Sequence, residues 1–411
     1  MRITKTIKIR IGDLTNHKKD VVDSLFYKNL KGLNHCIDVI DKKKIYSKTK
    51  LHKEVYQDLR KLDLPACLCH SIREKSIEIM KSFKSKKQKK EKPELKISRV
   101  RYDNQVTKLL KTTTKTYPYF VSLLYNKSQQ GKSNRIKLPL LVSSEYQKKA
   151  LLGLDKKEYS LCSSELVEKK GKYYFHLTYS KEIELPVPDE TFAPIGIDIG
   201  INNLAVSVAS SSTEFFSGKR ARWKRKFFRK QRQNLQQNLA LQELKRQKNR
   251  EWRWITSINH NISNKIVEQA KTETKPVIVL EDLKYIRDNS MKLNKTTRTM
   301  VNSWAFRQLQ NMIIYKANWE EIPVEFVDAK YSSQLCNKCH HLGNREKHTF
   351  KCSNCHYECN ADYNAGRNLQ HFFRAKCLGE QATINLASDI GSPEPQAEKD
   401  TSVRNLNKLN R

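Results

Sequence analysis

Apolar positions alternate with basic ones at the start of the chain. Ile3, Ile7, Ile9 and Ile11 share one parity, with Lys and Arg between them, which predicts a strand. From about 18 to 83 the spacing changes to three and four, most clearly over Leu51–Leu59 and Ile72–Phe83. This predicts helices broken near Pro65. From about 95 to 185 short strand-like runs return at Pro118–Tyr125, Ile136–Val142 and Tyr173–Tyr179, the last following a turn at Lys170-Gly171-Lys172. The first strand is expected to join this β region, leaving the helices as an insertion. Pro186-Val-Pro188 reads as a linker.

In the second half, Pro194-Ile-Gly-Ile-Asp-Ile-Gly200 alternates strictly. Ile195, Ile197 and Ile199 point one way, and Gly196, Asp198 and Gly200 point the other. Asp198 is thus expected on a face that two glycines clear for close approach of a phosphate or metal ion. Asn202-Asn203 predicts a turn, and Leu204–Ala209 the returning strand. Val277-Ile-Val-Leu280 reads as a strand buried on both faces, ending in Glu281-Asp282, where open α/β sheets collect ligands. Asn360 is a good N-cap for a helix with Ala361, Ala365 and Leu369 on one face and Asp362 in its first turn. Gly379–Arg411 is polar, carries Ser392-Pro-Glu-Pro395, and is expected to be a disordered tail.

Charge then narrows the partners. Of 411 residues, 79 are Lys or Arg against 43 Asp or Glu, a formal net charge of +36 spread along the chain. Such an excess suits a long polyanion, because each neutralised phosphate releases condensed counterions. An anionic membrane would require an amphipathic helix with a broad apolar face, and the pattern offers none. The amino terminus lacks a signal-peptide core, and no apolar run approaches the ~20 residues of a membrane span. A soluble, cytoplasmic protein is expected. The run Lys81–Lys92 reads as a solvated basic loop. Lys219–Lys230 holds eight cations, Lys219, Arg220, Arg222, Lys224, Arg225, Lys226, Arg229 and Lys230, interleaved with Trp223, Phe227 and Phe228. A surface helix docking its aromatics on the core would explain that pattern, but so much charge favours a nucleic-acid backbone contact.

Each acid alone has a plain reading: Glu281 as a strand-end charge, Asp362 as an answer to the helix dipole. Together, three carboxylates can hold two divalent ions about 3.5–4 Å apart and clamp both oxygens of a phosphodiester displacement. Mg²⁺, with Mn²⁺ as substitute, suits such oxygen ligands. Five of the ten cysteines lie between Cys336 and Cys359. Cys336-x2-Cys339-x12-Cys352-x2-Cys355 has the spacing of a structural zinc ribbon, with Cys359 a spare thiol. His340, His341, His348 and His356 are nearby substitutes that the regular pairs make unnecessary. Cys67-Leu-Cys69-His70 reads as helix core rather than a metal site.

These motifs resemble the TnpB family of transposon-encoded, RNA-guided endonucleases related to type V CRISPR effectors. The resemblance rests on Gly196-Ile-Asp-Ile-Gly-Ile-Asn-Asn-Leu-Ala205, Val279-Leu-Glu-Asp-Leu283, Tyr331-Ser-Ser-Gln-Leu-Cys-x2-Cys339 and Asp362-Tyr-Asn-Ala365, in that order, and on the helix from Ser303-Trp304 to Lys316. It implies a multidomain α/β protein with a RuvC-type (RNase H-like) nuclease domain over 191–335 and 357–377, and a zinc ribbon inserted at 336–356. A β-barrel-like wedge domain is implied over 1–15 and 95–188, a helical recognition domain over 16–94, and a tail over 378–411. Asp198, Glu281 and Asp362 match the catalytic triad and Mg²⁺ ligands, and the four cysteines match the zinc ligands. The implied partners are a guide RNA and double-stranded target DNA beside a short adjacent motif, with one protein per guide RNA, or a dimer, and no membrane. Ala361, Gly366 and Ser332 depart from the residues frequent at those places, and none of the three is a ligand.

A compact type V CRISPR effector shares this chemistry with a different source of guide. A guided repressor that binds without cutting is set apart by an assay for cuts. An unguided RNase H-like transposase or resolvase would leave the basic amino-terminal half without a use.

Overall fold

The strand of alternating isoleucines becomes the middle of a sheet. The computed structural model describes residues 1–85, 91–126, 134–282, 306–328 and 331–379. Part of the lysine run (86–90), Leu283, the Ser303-Trp304 start of a helix, and the carboxy-terminal tail from 380 lie outside the described residues. The chain forms two compact units, Met1–Ile183 and Glu184–Arg411. Among the described residues, no helix is long and apolar enough to cross a membrane.

In the first unit, β1 (Arg2–Ile11) is followed by three helices, α1 (Asn16–Lys43), α2 (Lys48–Lys61) and α3 (Ala66–Ser85). Then come β2 (Arg99–Tyr102), β3 (Lys108–Lys111), β4 (Tyr119–Leu124), β5 (Arg135–Leu141), α4 (Glu145–Asp155), β6 (Ser160–Leu161), β7 (Ser164–Lys169) and β8 (Lys172–Glu182). The sheet has eight strands in the order β2-β7-β8-β1-β5-β4-β3, with β6 beside β8. Strand β1 runs antiparallel to β8 from Arg2 opposite Glu182 to Arg10 opposite Tyr174, and its far end pairs with β5. Ile7, Ile9 and Ile11 are buried while the cations between them face outward, so the period-two pattern is met. The α2 stripe Leu51, Val55 and Leu59 packs inward, as does Ile72 of α3. Cys69 is buried in that helical layer, its thiol directed at the Leu64 carbonyl at 3.9 Å.

In the second unit, β9 (Ala193–Asp198), β10 (Asn203–Val208) and β11 (Thr213–Ser217) lead into α5 (Lys219–Gln237), α6 (Leu241–Gln247) and α7 (Arg250–Ala270). Strand β12 (Pro276–Glu281), helix α8 (Phe306–Trp319) and β13 (Val324–Val327) follow, then β14 (Gly343–Glu346), β15 (Thr349–Cys352), β16 (Glu358–Asn360) and α9 (Ala361–Cys377). The main sheet runs β11-β10-β9-β12-β13. Its first three strands are antiparallel neighbours, whereas β12 is parallel to both β9 and β13. Parallel pairing needs long crossovers, and the helices supply them.

That sheet is covered on both faces. Ile195, Ile197, Ile278 and Leu280 pack with Ile262 and Ile266 of α7 and Leu309 and Ile313 of α8. Val277, Val279 and Val327 pack on the other face with Leu369, Phe372 and Phe373 of α9. The uninterrupted apolar run of β12 is thereby explained, each such side chain contributing about 1.5–3 kcal/mol.

Gly196 has a different role from the one expected. A Cβ on it would lie 1.9 Å from the Gly366 carbonyl oxygen, so helix α9 occupies the face that the glycine opens. Gln370 fixes the same contact by donating to the Pro194 carbonyl at 2.9 Å and the Val208 carbonyl at 2.7 Å. Gly196 serves helix–strand packing, and Asp198, two residues further along the strand, lies toward the helix's amino-terminal end.

Candidate active site and metal centre

Strands β9 and β12 run side by side in parallel, with Ile197 opposite Leu280, so Asp198 and Glu281 finish adjacent strands at the same edge. Asp362 arrives from the first turn of α9, where the Asn360 side chain accepts from the amides of Asp362 at 3.0 Å and Tyr363 at 3.1 Å. Thus two strand ends and one helix start bring three carboxylates together, residues far apart in the chain. Asp362 is buried, at 4% exposure, and both its oxygens have donors. Oδ2 accepts from the Asn203 amide at 2.8 Å and Oδ1 from the Arg345 guanidinium at 2.7 Å. Glu281 Oε1 accepts from the Ser332 hydroxyl at 2.7 Å, and the Gln310 side chain donates to the Glu281 carbonyl at 2.8 Å.

Crowding shows in the acidities. Burial holds Asp198 well above the usual carboxylate range, the charges of Glu281 and Asp362 add to it, and Arg345 opposes them. Burial also raises Glu281, against the Ser332 hydrogen bond and Arg345. A site where Asp198 and Glu281 resist ionising is chemically suited to cations that neutralise it, and carboxylate oxygens are the donors Mg²⁺ prefers.

The four cysteines form a second centre. Among the described residues, Cys336, Cys339, Cys352 and Cys355 are the group whose candidate ligand atoms all lie within 4.8 Å of one another. Cys336 and Cys355 Sγ are 3.7 Å apart, and Cys339 and Cys352 Sγ 3.4 Å. Zinc with bonds of about 2.3 Å spaces tetrahedral sulfurs by about 3.8 Å, so the donor set fits it. For the Cys339 thiol, burial acts upward, but the His341 amide and the neighbouring cysteines outweigh it and bring the pKa down to about 6, favouring the ligating thiolate. Cys359 sits in β16 opposite Phe350, outside the cluster. His340 stacks on His371 at 4.0 Å and His341 lies against the Cys339 carbonyl, so neither is needed as a ligand.

The knuckles are tied to α9. Asn364 Oδ1 accepts from Asn337 N at 3.0 Å and Nδ2 at 2.7 Å, and the Asn364 and Asn368 amides donate to the Leu335 carbonyl. The β14–β15 hairpin pairs Gly343 with Cys352 and Arg345 with Phe350. It therefore carries Arg345 from the cysteine cluster to Asp362.

Helix α5 sorts its residues cleanly. Ala221 and Phe228 are buried, while Trp223 is 63% and Phe227 44% exposed, their rings 5.8 Å apart and stacked. The Lys224 ammonium lies 4.8 Å from the Phe227 ring centre. Of the eight cations, Arg222 donates to the Ile201 carbonyl and Arg225 pairs with Glu251, whereas Lys219, Arg220, Lys226, Arg229 and Lys230 are exposed. Sequence reasoning missed Arg345, Asn203 and Ser332 as contacts of the acids. Ser332 and Asn203 lie inside motifs already singled out, but nothing in the local pattern marks Arg345.

Comparison with known proteins follows the same lines. The Cas12f1-like, TNB domain model matches residues 306–369, which hold α8, the cysteine cluster and the start of α9. The probable transposase model of the OrfB/IS605 type matches residues 176–286, which include Asp198 and Glu281. A CRISPR-associated endodeoxyribonuclease Cas12f1 of Sulfoacidibacillus thermotolerans is 28% identical over 272 residues, 61% of this chain and 62% of that protein. A TnpB-like protein of Methanocaldococcus jannaschii is 33% identical over 150 residues, 34% of this chain and 53% of that one. The chain thus spans between half and two thirds of the length of these relatives. In fold it is similar to the protein of a Cas12f1–sgRNA–target DNA complex, with a TM-score of 0.60 at 16% identity, covering 90% of this chain and 99% of that one. The chain thus carries a segment matching the probable transposase model and one matching the Cas12f1-like TNB model, and it is similar to TnpB-like and Cas12f proteins.

Proposed function

We propose that the chain is a metal-dependent, RNA-guided DNA endonuclease that cuts with a single RuvC-type site made of Asp198, Glu281 and Asp362. The observation that carries this reading is the convergence of three carboxylates, from two parallel strand ends and a capped helix start, with burial raising the pKa of Asp198 and of Glu281. The relatives named endodeoxyribonucleases, and the guide RNA and target DNA in the similar complex, support it.

In this reading Asp198, Glu281 and Asp362 hold two Mg²⁺ ions, and the four cysteines hold zinc. Bound Mg²⁺ would activate water and neutralise charge on the phosphodiester. The protein's own part is positional. Asn203 and the Asn360 cap orient Asp362, Ser332 orients Glu281, and Gln310 fixes the end of β12. The exposed cations of α5, with Trp223 and Phe227, form a surface for a nucleic-acid backbone and an unstacked base. Domain roles follow the resemblance: wedge β domain over 1–15 and 95–188, recognition helices over 16–94, nuclease over 191–335 and 357–377. Base pairing would then read the target sequence, and the protein its shape and adjacent motif.

The test is expression with native flanking DNA, purification at moderate salt, and sequencing of copurifying RNA. A discrete RNA running past the end of the gene supports a TnpB-type guide, and repeat-spacer RNA a CRISPR-type one. Cognate guide, Mg²⁺ and a matched target should then give cuts that Asp198→Ala abolishes. Only random RNA that salt removes would overturn the guided reading.

A further inference from the structure

The acid cluster has a cation of its own, delivered by the ribbon. Arg345 lies in β14 opposite Phe350, and its guanidinium reaches Asp362 Oδ1 at 2.7 Å. The Asp362 side chain is buried, at 5% exposure, whereas that of Arg345 is 32% exposed, so the guanidinium reaches the acid from the solvent side. Among the described residues, Arg345 is the cation in an ion pair with a carboxylate of the trio.

Its position depends on a tight hairpin. A Cβ on Gly343 would stand 2.6 Å from the Lys351 carbonyl, and Gly343 is paired with the cluster cysteine Cys352. The ribbon that holds the four thiols together therefore also aims the guanidinium. One positive charge against three carboxylates offsets only part of their repulsion. A divalent ion entering the trio would draw on the same Asp362 carboxylate and would repel the guanidinium beside it.

Resting on the nuclease reading above, we propose that Arg345 is a positioning residue and the resident countercharge of the metal-free site. It holds Asp362 in place and competes with the incoming divalent ion, so that the ribbon carrying it sets the site's affinity for metal. This couples the two centres through a single side chain.

The experiment is calorimetric titration of the full zinc-containing chain with Mn²⁺, alongside melting curves with and without Mn²⁺, for the parent, Arg345→Gln and Arg345→Lys. Zinc content is checked for each by mass spectrometry. Arg345→Gln should bind Mn²⁺ about tenfold or more tightly, yet melt below the parent without Mn²⁺, the gap closing as Mn²⁺ is added. Arg345→Lys should stay within about threefold of the parent in affinity, since the charge is kept. A merely structural arginine would lower the melting temperature under both conditions and tighten nothing. Equal or weaker Mn²⁺ binding by zinc-replete Arg345→Gln overturns the proposal. Should Arg345→Gln lose its zinc, amide exchange in the parent decides. Protection over Gly343–Glu346 should fall when Mn²⁺ enters, and unchanged protection overturns the competition. Asp198→Asn separates the two readings, for if Mn²⁺ binding to the parent is insensitive to it, the nuclease reading itself fails.

Discussion

The carbonyl oxygen of Gly366 stands 1.9 Å from where a Cβ on Gly196 would have to be, so strand β9 and helix α9 touch backbone to backbone. The contact lies two residues from Asp198 in one element and four from Asp362 in the other, which makes it the joint that sets their spacing. Gly196→Ala cannot be absorbed by a side chain moving aside, because the obstacle is main chain. It should cost about 1–3 kcal/mol or more and cut activity disproportionately to the loss of folded protein. Denaturant melts alongside initial cleavage rates check this, and a variant with parental rates would show that the acids tolerate a displaced helix.

Asp198→Asn should separate stability from catalysis. Cleavage is expected to fall on the order of 10³-fold or more. Without divalent ions, the variant should melt above the parent, by about 2–4 °C for each kcal/mol of repulsion relieved. The sign with pH follows. The raised carboxyl keeps its proton in the fold where the unfolded chain releases it, so its contribution is full below the ordinary carboxylate range and is lost as pH climbs through the raised value. Melting in chelator from pH 4 upward should fall more steeply for the parent than for Asp198→Asn.

Cys336→Ser and Cys359→Ser make a matched pair. The first removes a thiol of the cluster and the second a thiol just outside it. Cys336→Ser should lose bound zinc and several kcal/mol of stability, and Cys359→Ser should keep both. Metal analysis of the purified variants is the readout, and equal zinc in the two would dismantle the ligand assignment.

On α5, neighbours should behave oppositely. Phe228→Ala empties a buried site and should destabilise by about 3–5 kcal/mol. Trp223→Ala and Phe227→Ala remove exposed rings and should leave stability within about 0.5 kcal/mol, while weakening nucleic-acid binding by about 1–3 kcal/mol each. Binding titrations at fixed salt decide, and unchanged affinity in both would return the helix to plain surface.

Much of this site is legible in the order of the residues alone. Alternation over Pro194–Gly200 and the apolar run of Val277–Leu280 are local patterns that force Asp198 and Glu281 to strand ends, and the Asn360 cap forces Asp362 into a first turn. Cysteine spacing carries the ribbon in the same way. What local pattern does not carry is contact between elements. Gly196 reads as open space until a helix is known to fill it, and Arg345 reads as one more surface cation in a basic chain. Its meaning arises only when a hairpin folds back by pairing Gly343 with Cys352. Trp223 and Phe228 share one sequence texture, and only the helix's rotation against the sheet separates the exposed ring from the buried one.

Strand β1 imposes a timetable on synthesis. Its partner from Arg2 to Arg10 is β8, which ends at Glu182. Arg2 therefore waits for nearly the whole first unit to emerge, roughly ten to thirty seconds at ordinary translation rates. During that interval an unpaired strand of isoleucines is exposed to every other nascent chain. The cations at Arg2, Lys5, Lys8 and Arg10 give those waiting segments a mutual repulsion, so the charge that suits a polyanionic partner also guards the chain before it has folded.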